Sequence, residues 1–372
     1  MQIINKKKHS MHVITPLRFK NPSQNEFVKT LRKRVDAYFK ENNLSKTGGL
    51  SLKIKAVFMF LLYTIPYFVL VTSSYSNIYI AWAMTVLMGF GMAGIGFCVM
   101  HDANHGSFSN KKWLNKFMGF SLNFLGGNVN NWKAQHNIMH HTYTNIEGYD
   151  EDIQPASLLR FSPHAEKKKV HRYQYIYAWF LYGLMTLSWT FAKDFVDVNR
   201  YEKRGLYKQL KTTYRKELTQ IILTRIMYFA YMVAIPLIFM DIAWWQLIIG
   251  FLTVHVTAGV TLASVFQMAH VMEDTKYPLP DIDNVVGDQW AAHQLNTTLN
   301  FAHKNKVLSW FVGGLNYQIE HHLFPNISHI HYKDIAPIVR KTAKEFNLPY
   351  YSIDTFRNAL VAHGRMLYVL GR

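Results

Sequence analysis

Cysteine is almost missing from this chain: one residue in 372, Cys98. A single cysteine forms no internal disulfide, no thiolate zinc site and no iron–sulfur cluster. Any metal held here must be held by nitrogen and oxygen. Acidic residues are scarce too, 23 against 41 Lys and Arg, for a formal net charge of +18. That excess points to an anionic partner: nucleic acid, a membrane surface or an anionic substrate. Basic residues are themselves missing from two long blocks, residues 56–110 and 226–275, and crowd the stretches on either side. The positive-inside rule predicts that distribution for a membrane protein. A nucleic-acid binder has no use for it, so nucleic acid is not expected as a partner. The first fifty residues are polar and basic, with Lys6, Lys7 and Lys8 near the start, and do not read as a cleavable signal peptide.

Each block without basic residues is long enough to cross a bilayer twice. A spanning helix needs about 20 apolar residues at ~1.5 Å each to cover roughly 30 Å. Residues 56–72 and 78–100 fit in the first block, joined by 73–77. Residues 221–240 and 242–266 fit in the second, joined by little more than Asp241. Arg225 is expected to snorkel to the headgroups from the end of its helix. The joints carry no Lys or Arg and are expected to face out. Both termini, the middle region and the C-terminal region then face the cytosol, at the cytoplasmic membrane of a bacterium or the endoplasmic reticulum of a eukaryote.

The expected fold class is all-α and membrane-integral: four transmembrane helices in two hairpins, with a helical cytosolic cap. The chain divides into an amphipathic segment 1–50, a hairpin 51–105, a cytosolic region 106–216, a second hairpin 217–270 and a cytosolic region 271–372. In the first segment, Phe27, Leu31, Val35 and Tyr38 recur at helical spacing between basic residues. They predict a helix lying on the membrane surface, or an ordinary helix packed on a soluble domain. In the middle region, residues 117–127 are too short to span. Residues 173–191 are long enough but carry scattered polar and aromatic side chains. Both read as interfacial or buried cytosolic helices.

Gly89, Gly91 and Gly94 spell G-x-G-x-x-G, the dinucleotide fingerprint. That motif works only between a strand and a helix, with an acidic residue about 20 positions on. Here it lies inside an apolar helix with no such residue. Close helix packing through small side chains is the expected role, and no NAD(P) site is expected.

Eighteen histidines is a high count for this length. Three clusters stand out: His101 and His105; His136, His140 and His141; and His321 with His322 in Gln318-Ile-Glu-His-His. Positions i and i+4 share a helix face, so a spaced pair can reach one metal. A lone histidine is usually a surface or satisfied core residue, and a single spaced pair arises by chance. Three clusters on one side of a membrane do not. His270, at the cytosolic end of the fourth span, is a further candidate. One zinc takes four ligands in a structural site and three in a catalytic one, so seven or eight imidazoles imply two metals. The chain has no H-E-x-x-H motif and no E-x-x-H pair of the carboxylate-bridged bundles. Imidazole suits iron, copper, nickel and zinc, and spacing alone leaves the metal open.

The strings HDANHGS, HNIMHHTYTN and GLNYQIEHHLFP resemble the histidine boxes of the membrane fatty acid desaturases, and in particular the front-end subgroup. Front-end enzymes insert a double bond between an existing one and the carboxyl end. The resemblance runs from about Phe27 to Tyr351, and Gln318 is its most subgroup-specific feature. It implies two iron ions, O₂ as oxidant, an acyl-CoA or acyl-lipid substrate, and electrons from a cytochrome b5 or ferredoxin. The implied iron ligands are the seven box histidines and His270. Gln318 stands where related acyl-CoA desaturases have a histidine, and direct contact with iron, contact through water and no contact all stay open. No HPGG haem motif appears, so a separate donor protein is expected, with no haem on this chain. Asn104 replaces a common glycine of the first box.

Removing hydrogen from unactivated methylenes is work for the metal; the protein supplies ligands, a dry channel and orientation. Asp102, Asp150, Glu151, Asp152 and Glu320 are candidates to bond the free ring N–H groups of the ligands. His255, midway along the fourth span, is expected to be buried and hydrogen-bonded near an acyl channel. His329 and His331, just past the third box, are expected to be ordinary rather than to stand behind the ligands, and His293 and His303 are weak ligand candidates. The competing readings are a lipid hydroxylase on the same boxes and, from another class, a membrane metal transporter or sensor.

Overall fold

The computed structural model describes residues 15–72, 77–155 and 157–372. The lysines at 6–8 and most of the first joint, at 73–76, lie outside the described residues. Among the described residues four helices are long and apolar enough to span a bilayer: Gly49–Thr72, Ile78–Asn104, Tyr214–Phe239 and Trp244–His270. Each runs beyond the apolar core predicted for it, and the extra turns lie mostly at the end that meets the cap. Asn77 starts the second span by accepting from the backbone N–H of Tyr79 and Ile80, and Thr213 starts the third by accepting from Lys216 N–H.

The second span is the most buried and packs against both the first and the fourth. The three glycines of the apparent fingerprint are what allow this. A Cβ at Gly89 would lie 2.5 Å from Thr257 of the fourth span. One at Gly91 would lie 2.6 Å from the Tyr63 backbone, and one at Gly94 2.4 Å from Met59 sulfur, both on the first span. These are helix-packing glycines, as expected for small residues within a membrane.

One open alternative is decided and one expectation needs correction. The N-terminal helix, Asn25–Glu41, does not offer its apolar stripe to a lipid surface. Phe27, Leu31, Val35 and Phe39 are buried against helix Tyr332–Glu345, and Arg34 pairs with Glu345 at 2.7 Å. Arg225 does not snorkel either. It is 4 % exposed and donates to the carbonyls of Thr190, Gly127 and Trp189, with Asp194 as its counter-ion. The end of the short helix before Gly127 and the π-turn Trp189–Lys193 leave carbonyl groups open there, and the guanidinium satisfies them.

The stretch after Tyr173 forms helix Gln174–Gly183 and, past Leu184, a second helical stretch from Met185 to Lys203 that contains a π-turn at Trp189–Lys193. It lies along the fourth span, with Gly183 against Val256 and the Thr186 hydroxyl donating to His255 carbonyl. Tyr173, Ile176, Phe180 and Phe191 stay exposed on its outer side. The C-terminal helix Phe356–Leu370 covers its start. Two short parallel pairs tie the cap: Arg18 and Phe19 beside Val285 and Val286, and Asn300 and Phe301 beside Ser352 and Ile353.

Candidate metal centre

The second span widens before it ends. Gly96–Met100 is a π-turn, and His101 follows it, one helical turn before His105. The second box lies in a longer π-segment, Lys133–His140, which runs directly into His141. In an α-helix, position i+5 lies about 140° from position i. The wider i→i+5 turn brings it back toward the same face. As a result, Nε2 of His136 and Nε2 of His141 stand 3.2 Å apart, while His140 remains beside them. All three histidines can then serve one centre, where regular spacing offered the pair. His321 and His322 ride on the short helix Gln318–Leu323, and His270 is the last residue of the fourth span.

All eight imidazoles come together. His101, His105, His136 and His321 form one group, and His140, His270 and His322 a second. His141 joins His321 and His322 between them, and within each group the donor atoms lie within 4.8 Å of one another. The Nε2 atoms of His105, His270, His321 and His322 are buried without a hydrogen-bond partner among the described residues. Nε2 of His136 meets only Nε2 of His101 and of His141, at 3.2 Å each. Buried nitrogens facing one another with nothing between them are costly unless a cation takes their lone pairs. The donor set therefore fits metal ions.

The opposite ring nitrogens are held from behind. His140 Nδ1 lies 3.1 Å from both oxygens of Asp150 and 3.4 Å from Asp152. His322 Nδ1 meets Gln294 Oε1 at 2.8 Å, His321 Nδ1 meets the Tyr332 hydroxyl at 3.1 Å, and His270 Nδ1 meets Thr297 carbonyl at 3.3 Å. Such contacts fix tautomer and ring orientation, leaving Nε2 for metal. Burial, then mutual repulsion, holds His136, His141, His321 and His322 well below the ordinary imidazole pKa, so they are neutral at pH 7. His140 differs. Burial works against its charge, but Asp150 and Asp152 outweigh burial and raise it to about 9.

Of the five carboxylates proposed to back the rings, two stand there: Asp150 and Asp152 flank His140. Asp102 lies close by, its Oδ1 4.0 Å from His101 Nδ1, beyond hydrogen-bond reach. Glu151 and Glu320 touch no box imidazole among the described residues. Glu151 turns outward to Arg200, Arg204 and Tyr201. Glu320 accepts from Asn300 and Tyr350. Gln318 is buried beside His270 with its Nε2 unpartnered among the described residues. His255 is buried away from the cage, between the Tyr228 hydroxyl at 2.7 Å and Thr186 Oγ1 at 3.0 Å. His293 packs against Phe19, His303 meets Ser352, and His331 lies edge-on to Phe39; none is in the cage.

His329, read as ordinary, is not. It is buried, with Nδ1 3.0 Å from Asp102. Gln294 and Tyr332 also stand behind cage rings, and no local pattern in the sequence marks that role.

Four spans beneath a cage of imidazoles define a membrane protein able to take metal through nitrogen. The fatty acid desaturase family pattern matches residues 76–354. The sn-1 linoleoyl-lipid 6-desaturase of Synechocystis is 32 % identical over 364 residues, 97 % of this chain and 99 % of that protein. The acyl-lipid (8-3)-desaturase of Physcomitrium patens is 33 % identical over 357 residues, 95 % of this chain and 74 % of that one. The Delta(5) fatty acid desaturase A of Dictyostelium discoideum is 29 % identical over 356 residues, 94 % and 75 % respectively. The chain belongs to the fatty acid desaturase family and is an oxidoreductase of that kind.

Proposed function

We propose that this chain is a front-end desaturase acting on lipid-linked polyunsaturated acyl chains through two iron ions on the cytosolic face. The observation that carries the metal part is the set of buried, unpartnered Nε2 nitrogens turned toward one another. His101, His105, His136, His140, His141, His270, His321 and His322 are the proposed ligands. Gln318, beside His270, is the proposed neighbour of an open position. Bound iron supplies the O₂ chemistry that strips hydrogen from unactivated methylenes. Two hydrogens from the chain, two external electrons and two protons reduce one O₂ to two waters.

The protein's own part is placement. Asp150 and Asp152 hold His140, Gln294 holds His322 and Tyr332 holds His321, so that each offers Nε2. Asp102, Asp150 and Asp152 offset part of the charge of two dications bound only by neutral rings. Trp132 stacks on His136 with 4.4 Å between ring centroids, and Phe266 stands 6.1 Å away on its edge. These rings keep water from that flank of the centre.

The front-end reading and the lipid carrier rest on the Gln318-Ile-Glu-His-His string and on relatives that bear linoleoyl-lipid and acyl-lipid in their names. The excess of basic residues suits an acidic electron donor of the cytochrome b5 or ferredoxin type. The test is expression with such a donor in a host lacking polyunsaturates, fed linoleate, with double bonds located by mass spectrometry. A new double bond on the carboxyl side, absent in His140→Ala, is expected. A gain of one oxygen instead would move the protein to the hydroxylases.

A further inference from the structure

Lys55 is the charged group with no evident reason to be where it is. It lies on the first span, is 5 % exposed, and has no carboxylate within ion-pair distance among the described residues. Lys53, two residues earlier, faces out. An ammonium group is costly to bury in a spanning helix unless it serves something nearby. Its Nζ lies 2.9 Å from His329 Nε2 and 5.2 Å from the centre of the Trp310 ring. An ammonium has only protons to give, so Nε2 of His329 accepts, and the ring proton belongs on Nδ1. That nitrogen stands 3.0 Å from Asp102 Oδ2, within charge contact though not aligned as a hydrogen bond. The same carboxylate oxygen accepts from the Ser328 hydroxyl at 2.7 Å and from His329 backbone N–H at 3.2 Å. Its other oxygen is the carboxylate oxygen nearest His101 Nδ1, at 4.0 Å. Every member of this line is buried.

We propose that Lys55 is a positioning residue for the metal centre, acting through His329 and Asp102 on His101. The first span carries no histidine of the cage. Through Lys55 it fixes the tautomer of His329, and that ring, with Ser328, fixes the rotamer of Asp102. Asp102 is then aimed at His101 so that Nε2, not Nδ1, is offered to metal. Without the lysine, His329 Nε2 loses its donor and the ring is free to take the other tautomer. A lone pair then faces the carboxylate, which turns away from His101. This inference rests on the metal reading of the cage, and its test reads metal directly.

The full chain in lipid nanodiscs, stripped of metal, is titrated anaerobically with ferrous iron, and with cobalt for its visible bands. The variants are Lys55→Met, Lys55→Arg, His329→Gln, the double Lys55→Met/His329→Gln, and Lys53→Met as control. Melting of each metal-free chain is recorded beside them. Lys55→Met and His329→Gln are expected to weaken one metal site by about 10–100-fold, the usual effect of losing a group behind a ligand. The double variant should be no worse than either single one, Lys55→Arg should recover most of the loss, and metal-free melting should barely move. Parent-like metal affinity in Lys55→Met overturns the proposal. So does a loss of affinity matched by a loss of metal-free stability, which would make Lys55 only a pin between the span and the cap. If the parent takes up no metal, the cage reading itself fails and this inference falls with it.

Discussion

Glu320 sits immediately before two cage histidines yet faces away from them. It accepts from Asn300 at 2.7 Å and Tyr350 at 3.0 Å, and burial pushes its pKa up from 4.5 to about 7. A carboxyl whose pKa is raised by folding withdraws stability as pH climbs from the unfolded value to the folded one. Its destabilising effect starts near 4.5 and is complete above about 7. Glu320→Gln copies the neutral form. The variant should melt close to the parent near pH 5 and clearly above it near pH 8, measured on the metal-free chain in detergent. An equal gap at both pH values would show that the carboxyl does not titrate in that window. At this scale ligands and their supports differ in how readable they are. Histidines at box spacing declare themselves, because few other roles call for that residue type in clusters. Their supports do not. Lys55 and His329 meet across 274 residues, and Gln294 is one glutamine among many until His322 is placed beside it.

Among elements, the spans were readable and their irregularities were not. Apolar runs bounded by basic residues mark a helix that crosses a bilayer. Nothing in His136-Asn-Ile-Met-His140-His141 marks the π-segment that gathers all three rings, since that turn is set by what it packs against. Arg225 was misread for a related reason. Headgroups are the default destination of an arginine near a helix end, but here Asp194 and three open carbonyls are closer. Removing one partner of such a buried pair strands the other. Arg225→Met should therefore cost about 3–5 kcal/mol, seen as a large drop in melting temperature. Arg225→Met combined with Asp194→Leu should recover much of it, because no charge is left unpaired. If the double variant melts no higher than the single one, the carbonyl contacts rather than the ion pair hold this joint.

Over the whole molecule, the separation into membrane helices and cap was legible because two mechanisms write it plainly. Basic residues crowd toward the ends of the spans, and the box histidines gather at one end of them. How the cap closes was not legible. The N-terminal helix buries Phe27, Leu31, Val35 and Phe39 on helix Tyr332–Glu345, almost the length of the chain away. An amphipathic stripe looks the same whether its partner is lipid or protein. The consequence is a cap whose core forms largely between the two ends of the chain, over a cage drawn from all three histidine boxes and the last residue of the fourth span. The most direct test of that cage is a metal count on the chain purified from iron-replete cells, by mass spectrometry against protein, with Mössbauer spectra on the same sample. About two irons per chain are expected, with loss of metal in His322→Ala. Tightly held zinc in place of iron, a single iron per chain, or an iron content unchanged in His322→Ala would contradict a two-iron histidine centre.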